Sequence, residues 1–130
     1  MKTVLIVGAG PGGCMTANRL VKSMRNEMKK GQLEVTLLSN SANHIYEAGF
    51  LFMSLDLKNP EQFTKEQRDL LDPAVKLLVD PAAKIDVRDN KVIGESGSEY
   101  RYDILLIATG SEVRADITPG MKEGSTIFIP

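Results

Sequence analysis

Four of the six residues in Gly8-Ala9-Gly10-Pro11-Gly12-Gly13 lack a side chain, so any chemistry done there is done by backbone. The run fits G-x-G-x-x-G, and its glycines have separable roles. Gly8 permits a tight turn, Gly10 lets main chain approach a pyrophosphate, and Gly13 lets a helix pack closely on a strand. Free N–H groups at the start of that helix, with the positive end of its dipole, would hold the phosphates, Pro11 and Gly12 included in the turn. A mononucleotide phosphate loop needs Lys and then Ser or Thr after its last glycine. Cys14 and Met15 stand there, so that reading fails.

The glycines work only if a strand precedes them and a helix follows. Thr3 to Val7 is a short apolar run rich in β-branched residues, the pattern of a parallel strand covered on both faces. Ala17, Leu20, Val21, Met24 and Met28 then recur at helical spacing, predicting one helix from about Pro11 to Lys30 with Gly31 as its cap. Glu34 to Leu38 reads as a second buried strand, which completes a βαβ unit. Such a second strand usually ends in an acid that binds the adenosine ribose. Here it ends in Leu38-Ser39-Asn40, uncharged but able to hydrogen-bond a ribose hydroxyl, and no Arg stands by for a 2′-phosphate. The departure speaks against NAD and NADP alike.

Beyond Asn40 the pattern changes. Residues 39–72 have no strong period: a polar loop, the apolar patch Ala48 to Leu57, and a helical turn expected around Thr64 to Leu71. Val75 to Val79 reads as a strand. AKIDV, KVIGE and EYRYD follow, separated by turns at Arg88-Asp89-Asn90 and Ser96-Gly97-Ser98, which predicts a three-stranded antiparallel meander. Ile104 to Ala108 should be a further buried strand running into Thr109-Gly110, and the tail from Ser111 to Pro130 shows no clear element.

Composition narrows the partners. The 130 residues are 42% hydrophobic with a net charge of -1, and no Lys/Arg block with interleaved aromatics appears, which argues against nucleic acid. No apolar run approaches the roughly 20 residues that span a bilayer. A single cysteine, Cys14, and a single histidine, His44, leave no internal disulfide framework and no Cys/His metal cluster. The expected compartment is reducing and cytoplasmic.

Three segments together, the glycine loop, YEAGFLF (Tyr46 to Phe52) and YDILLIATGS (Tyr102 to Ser111), resemble the FAD-binding N-terminal part of the pyridine nucleotide-disulfide oxidoreductase superfamily. Within it, VTLLSN and YEAGFLF look most like sulfide:quinone oxidoreductases and the flavoprotein subunit of flavocytochrome c sulfide dehydrogenase. Those relatives often have a non-acidic residue where Ser39 stands, and a proline where this chain has Ala48. The resemblance implies an α/β fold: a Rossmann-like parallel sheet carrying the antiparallel meander. It implies FAD as cofactor, with Gly8, Gly10, Pro11, Gly12 and Gly13 on the pyrophosphate. Ser39 and Asn40 would meet the adenosine ribose, Ala82 would offer backbone to the adenine, and Thr109 and Gly110 would close over the pyrophosphate and ribityl side. It also implies sulfide as substrate and a quinone as acceptor, with the membrane met only through a C-terminal part that this sequence lacks.

Other residues are read more plainly. Cys14, in the first helical turn, is expected to pack rather than react, and His44 in its polar loop to be solvated. Phe50 to Met53 read as satellite core, with the backbone of Ala48 and Gly49 near the flavin ring as the functional alternative. No residue is assigned a catalytic or metal-binding role. The relatives are far longer, so residues 1–130 are expected to be the N-terminal portion of a flavoprotein, inactive in isolation. A type II NADH:quinone dehydrogenase or another flavoenzyme of the same scaffold, and a stand-alone nucleotide-binding module, are the alternatives.

Overall fold

The computed structural model describes residues 1–55, 59–111, 114, 116, 117 and 119. Strand β1 (Lys2–Val7) pairs in parallel with β2 (Leu33–Ser39), with Val4 opposite Val35 and Val7 opposite Leu38. Helix α1 (Pro11–Ser23) connects them. Two more strands, β5 (Lys76–Val79) and β9 (Ile104–Ile107), complete a parallel sheet of four in the order β5-β2-β1-β9. Between β2 and β5 the chain pairs β3 (Asn43–Ile45) with β4 (Thr64–Glu66) in an antiparallel ladder, and among the described residues of this connection no crossover helix is found. After β5 comes the expected meander, β6 (Ala82–Asp86), β7 (Lys91–Gly94) and β8 (Glu99–Arg101).

Side chains alternate along a strand, so each central strand feeds two cores. Val4, Ile6, Val35 and Leu37 point to the α1 side, where they meet Cys14, Ala17 and Val21. Leu5, Val7 and Leu38 point the other way, against Val92 of the meander with Ile85, Tyr100 and Tyr102 around it. That is why both strands read as unbroken apolar runs: one face is covered by a helix and the other by a second sheet. Full burial of side chains such as Ile6 or Leu37 contributes about 1.5–3 kcal/mol each.

Polar ties set the rest. The Asp103 carboxylate accepts the Thr3 N–H at 2.7 Å while Asp103 N donates to Thr3 O at 2.9 Å, aligning the entry to β9 with β1. From α1, the Asn18 side chain donates to Leu70 O and accepts from Asp72 N, both at 2.8 Å, and the Arg68 guanidinium donates to three carbonyls, those of Leu71, Asp72 and Val75. These bonds satisfy backbone groups in a stretch that has little regular structure of its own.

Four expectations need correction. The single helix to Lys30 breaks at Met24 (φ −111°, ψ 26°) and resumes as α2 (Arg25–Lys29), leaving Met24 at the surface. Ser23 and Asn26 are weak helix formers, and α2 buries no residue fully, with only Met28 packed in part against the core. The helical turn near Thr64 shrinks to Gln67–Leu70, because Thr64–Glu66 pairs with Asn43–Ile45, a partner that local periodicity does not reveal. Strand β9 is an edge strand, so Ile104 and Ile107 remain 56% and 57% exposed instead of buried. In the one-turn helix α3 (Phe50–Ser54), Leu51 and Phe52 are 65% and 44% exposed, too open for satellite core. Asp56 and Leu57 of the expected patch, and nearly all of the tail after Ser111, fall outside the described residues.

Candidate dinucleotide site

The order β5-β2-β1-β9 reverses direction at β1: the chain moves outward through β2 and β5, then returns to place β9 on the opposite side. Ligands of open parallel sheets bind in the crevice outside the C-terminal strand ends at such a reversal. Two loops leave the sheet there. Gly8 follows β1, its N–H donating to Leu38 O at 2.9 Å, and Thr109-Gly110 follows β9, with Ala108 N donating to Val7 O at 2.8 Å.

The four loop glycines divide by what a Cβ would meet. At Gly8, where φ is +105°, it would run into the Ala108 carbonyl and lie 2.9 Å from Thr109 N. At Gly13 it would strike the Gly8 carbonyl. These two glycines let the loops and α1 close on one another. At Gly10 and Gly12 a Cβ would meet no atom within 4 Å. That open side is where a ligand can lie against backbone, and it is the fit expected of a pyrophosphate cradle. Pro11 occupies the first turn of α1, where its missing N–H costs nothing, and no side chain caps that end. The N–H groups of the first turn are therefore left for an acceptor from outside the helix.

The remaining residues singled out from sequence gather at the same strand ends. Ser39 closes β2 and is 2% exposed, its hydroxyl donating to Ser41 O at 2.7 Å and accepting from Ser41 N at 3.2 Å. Asn40 beside it is exposed. Ala82 begins β6 directly after Asp80-Pro81, and Asp80 N donates to Ser39 O at 2.8 Å, which keeps the meander entry next to the end of β2. Gly110 takes φ +72°, a conformation that favours glycine. Gly49 is packed beneath the Phe63 ring.

Cys14 packs, as expected. Its thiol is buried, and burial pushes its pKa up against the opposing pull of the Gln67 amide. His44 departs from expectation. It is half-buried, with Nδ1 3.2 Å from the Ala9 carbonyl inside the glycine loop. Gln67 was not singled out at all, yet it is 1% exposed and its Nε2 donates to Cys14 Sγ at 2.8 Å. A buried amide on a polar stretch gives no periodic signal, so nothing in the sequence pointed to it. Beside the loop, His44, Tyr46, Phe63, Lys65 and Leu70 frame a cleft of about 320 Å³ along the β3–β4 hairpin.

The chain is 26% identical over 120 residues to the mitochondrial sulfide:quinone oxidoreductase of Dictyostelium discoideum, covering 92% of this chain and 25% of that protein. It is 32% identical to the type II NADH:quinone oxidoreductase of Staphylococcus haemolyticus, covering 94% of this chain and 29% of that one. The solved sulfide:quinone oxidoreductase of Aquifex aeolicus superposes with a TM-score of 0.80 at 27% identity, over 97% of this chain and 28% of that chain. This chain thus spans between a quarter and a third of each relative's length. Residues 2–129 match the family model described as pyridine nucleotide-disulphide oxidoreductase, and the chain belongs to that family.

Proposed function

We propose that these residues are the N-terminal, FAD-binding portion of a flavoprotein oxidoreductase that passes electrons from sulfide to a quinone. The cofactor comes with the family, whose members bind FAD. The observation that carries the reading is the crevice between β1 and β9, floored by glycines whose outer side is open. Bound there, FAD supplies the site that accepts an electron pair from one substrate and returns it to another.

This chain's own part is binding and orientation. Gly10, Gly12 and Gly13 offer backbone N–H groups to the pyrophosphate, with the α1 dipole behind them and Pro11 setting the turn. Gly8 and Gly110 let the two loops close around it. Ser39 and Asn40 act differently toward the ribose. The Ser39 hydroxyl is engaged in shaping the turn, and Asn40 presents its exposed amide to the sugar hydroxyls. Ala82 would offer main chain to the adenine, and the backbone of Ala48 and Gly49 would stand near the flavin ring.

Sulfide is preferred over NADH as the donor because YEAGFLF and VTLLSN resemble the sulfide enzymes, and the Aquifex enzyme superposes over almost the whole chain. The likeness to a type II NADH:quinone oxidoreductase supports the second reading. Anaerobic mixing of the protein encoded by the complete reading frame with sulfide or with NADH separates the two. Bleaching of the flavin by sulfide, reversed by a soluble quinone, is the expected result. Bleaching by NADH alone would replace this reading with the second.

A further inference from the structure

The Ala9 carbonyl takes two side-chain donors. The Cys14 thiol donates to it at 3.1 Å, and His44 Nδ1 lies 3.2 Å away. A carbonyl can only accept, so His44 must carry a proton on Nδ1. Cys14 is itself held: Gln67 Nε2 donates to its sulfur at 2.8 Å, and Gln67 N donates to Ala42 O at 2.7 Å. Burial keeps Cys14 a neutral thiol, the form that both donates and accepts. The bracing residues come from 35 and 53 positions along the chain, out of the β3–β4 hairpin and the turn after it.

The peptide joining Ala9 to Gly10 is planar and trans, so its C=O and N–H point in opposite directions. Fixing the carbonyl toward Cys14 and His44 fixes the Gly10 N–H away from them. A glycine loop without a side-chain cap otherwise has many conformations to lose on binding. We propose that His44 and the Gln67–Cys14 pair are positioning residues for the dinucleotide, locking the Ala9–Gly10 peptide so that its N–H faces the pyrophosphate before ligand arrives. The proposal rests on the dinucleotide reading of the loop. It explains why a histidine and a buried glutamine stand where a βαβ crossover needs neither.

The test compares His44→Ala, His44→Asn and Gln67→Leu with the unaltered chain, using FAD as titrant and NMR amide shifts as readout. His44→Ala should weaken FAD binding about threefold to tenfold, the worth of one hydrogen bond, in a chain that still unfolds cooperatively. His44→Asn, which restores an N–H close to the Nδ1 position, should recover most of that loss. In the ligand-free chain, His44→Ala should shift the Gly10 amide resonance and speed its hydrogen exchange, and Gln67→Leu should do the same. Equal affinities and an unmoved Gly10 amide in both variants would overturn the proposal alone. So would a loss in His44→Asn as large as in His44→Ala. Absence of any FAD response by the loop in the unaltered chain would overturn the dinucleotide reading and this proposal with it.

Discussion

The Tyr100 hydroxyl donates a 2.7 Å hydrogen bond to the Asp80 carboxylate, joining the meander to the C-terminal end of β5. Asp80 also accepts from Ser96 Oγ at 2.6 Å and Ser96 N at 3.1 Å, and its carboxylate fills the space where Gly94 has no Cβ. These bonds, led by that of the Ser96 hydroxyl, hold the Asp80 carboxyl below the usual carboxylate range, while the bond to Asp80, with burial, pushes the Tyr100 phenol up.

A group whose pKa is depressed by folding stabilises the fold above its unfolded pKa, about 3.9 for Asp, and loses that contribution as pH falls through the folded value. Asp80→Asn should therefore lower Tm by several degrees at neutral pH. The gap between the two proteins should stay constant down to about pH 5 and narrow below about pH 4. Thermal unfolding followed by circular dichroism across that range checks it, and a gap independent of pH down to about pH 2 would contradict the role given to the carboxylate.

The loop glycines should separate by phenotype. Gly8→Ala and Gly13→Ala should destabilise the fold, Gly8→Ala by about 1–3 kcal/mol from its left-handed backbone alone, before the clash with Ala108 is added. Gly12→Ala should leave urea unfolding within about 0.5 kcal/mol of the unaltered chain, because its Cβ meets open space. Its cost should fall on nucleotide affinity instead. Equal unfolding midpoints for all three variants would refute the division.

Much of this division was legible in the sequence, because a glycine required by packing and one required by a ligand sit at fixed offsets in a strand–turn–helix unit. The meander was legible for a similar reason: its turns at 88–90 and 96–98 are local signals. What local pattern hides is long-range pairing. The β3–β4 ladder, the reach of His44 to Ala9 and that of Gln67 to Cys14 all join residues many positions apart. The break at Met24 was hidden differently, since the apolar spacing continues through it, with Met24 itself at the surface and Met28 again packed against the core. Ile104 and Ile107 read as core because an edge strand of a parallel sheet has the same composition as a central one.

Cys14 should be slow to react. Its buried thiol, with a raised pKa, should resist a disulfide reagent at about pH 7.5 by at least about tenfold relative to the unfolded chain. Gln67→Leu removes the amide that opposes the rise, so it should not speed the reaction. Colorimetric thiol titration in buffer and in denaturant measures both. Native reactivity equal to the denatured rate would mean that the thiol is exposed and poised for chemistry.

The most direct test of the account is a titration of the isotopically labelled chain with FAD, following every backbone amide by NMR. Affinity need not be high, since weak binding still moves resonances in fast exchange. The largest shifts should fall on Gly10, Gly12, Gly13 and Cys14, with Thr109 and Gly110 next and the far ends of the strands unmoved. Gly10→Val, whose side chain would fill the open side of the loop, should abolish them while the chain stays folded. Shifts centred on the cleft at Tyr46 and Lys65 with the loop silent, or a full response in Gly10→Val, would contradict the claim that this loop holds the dinucleotide.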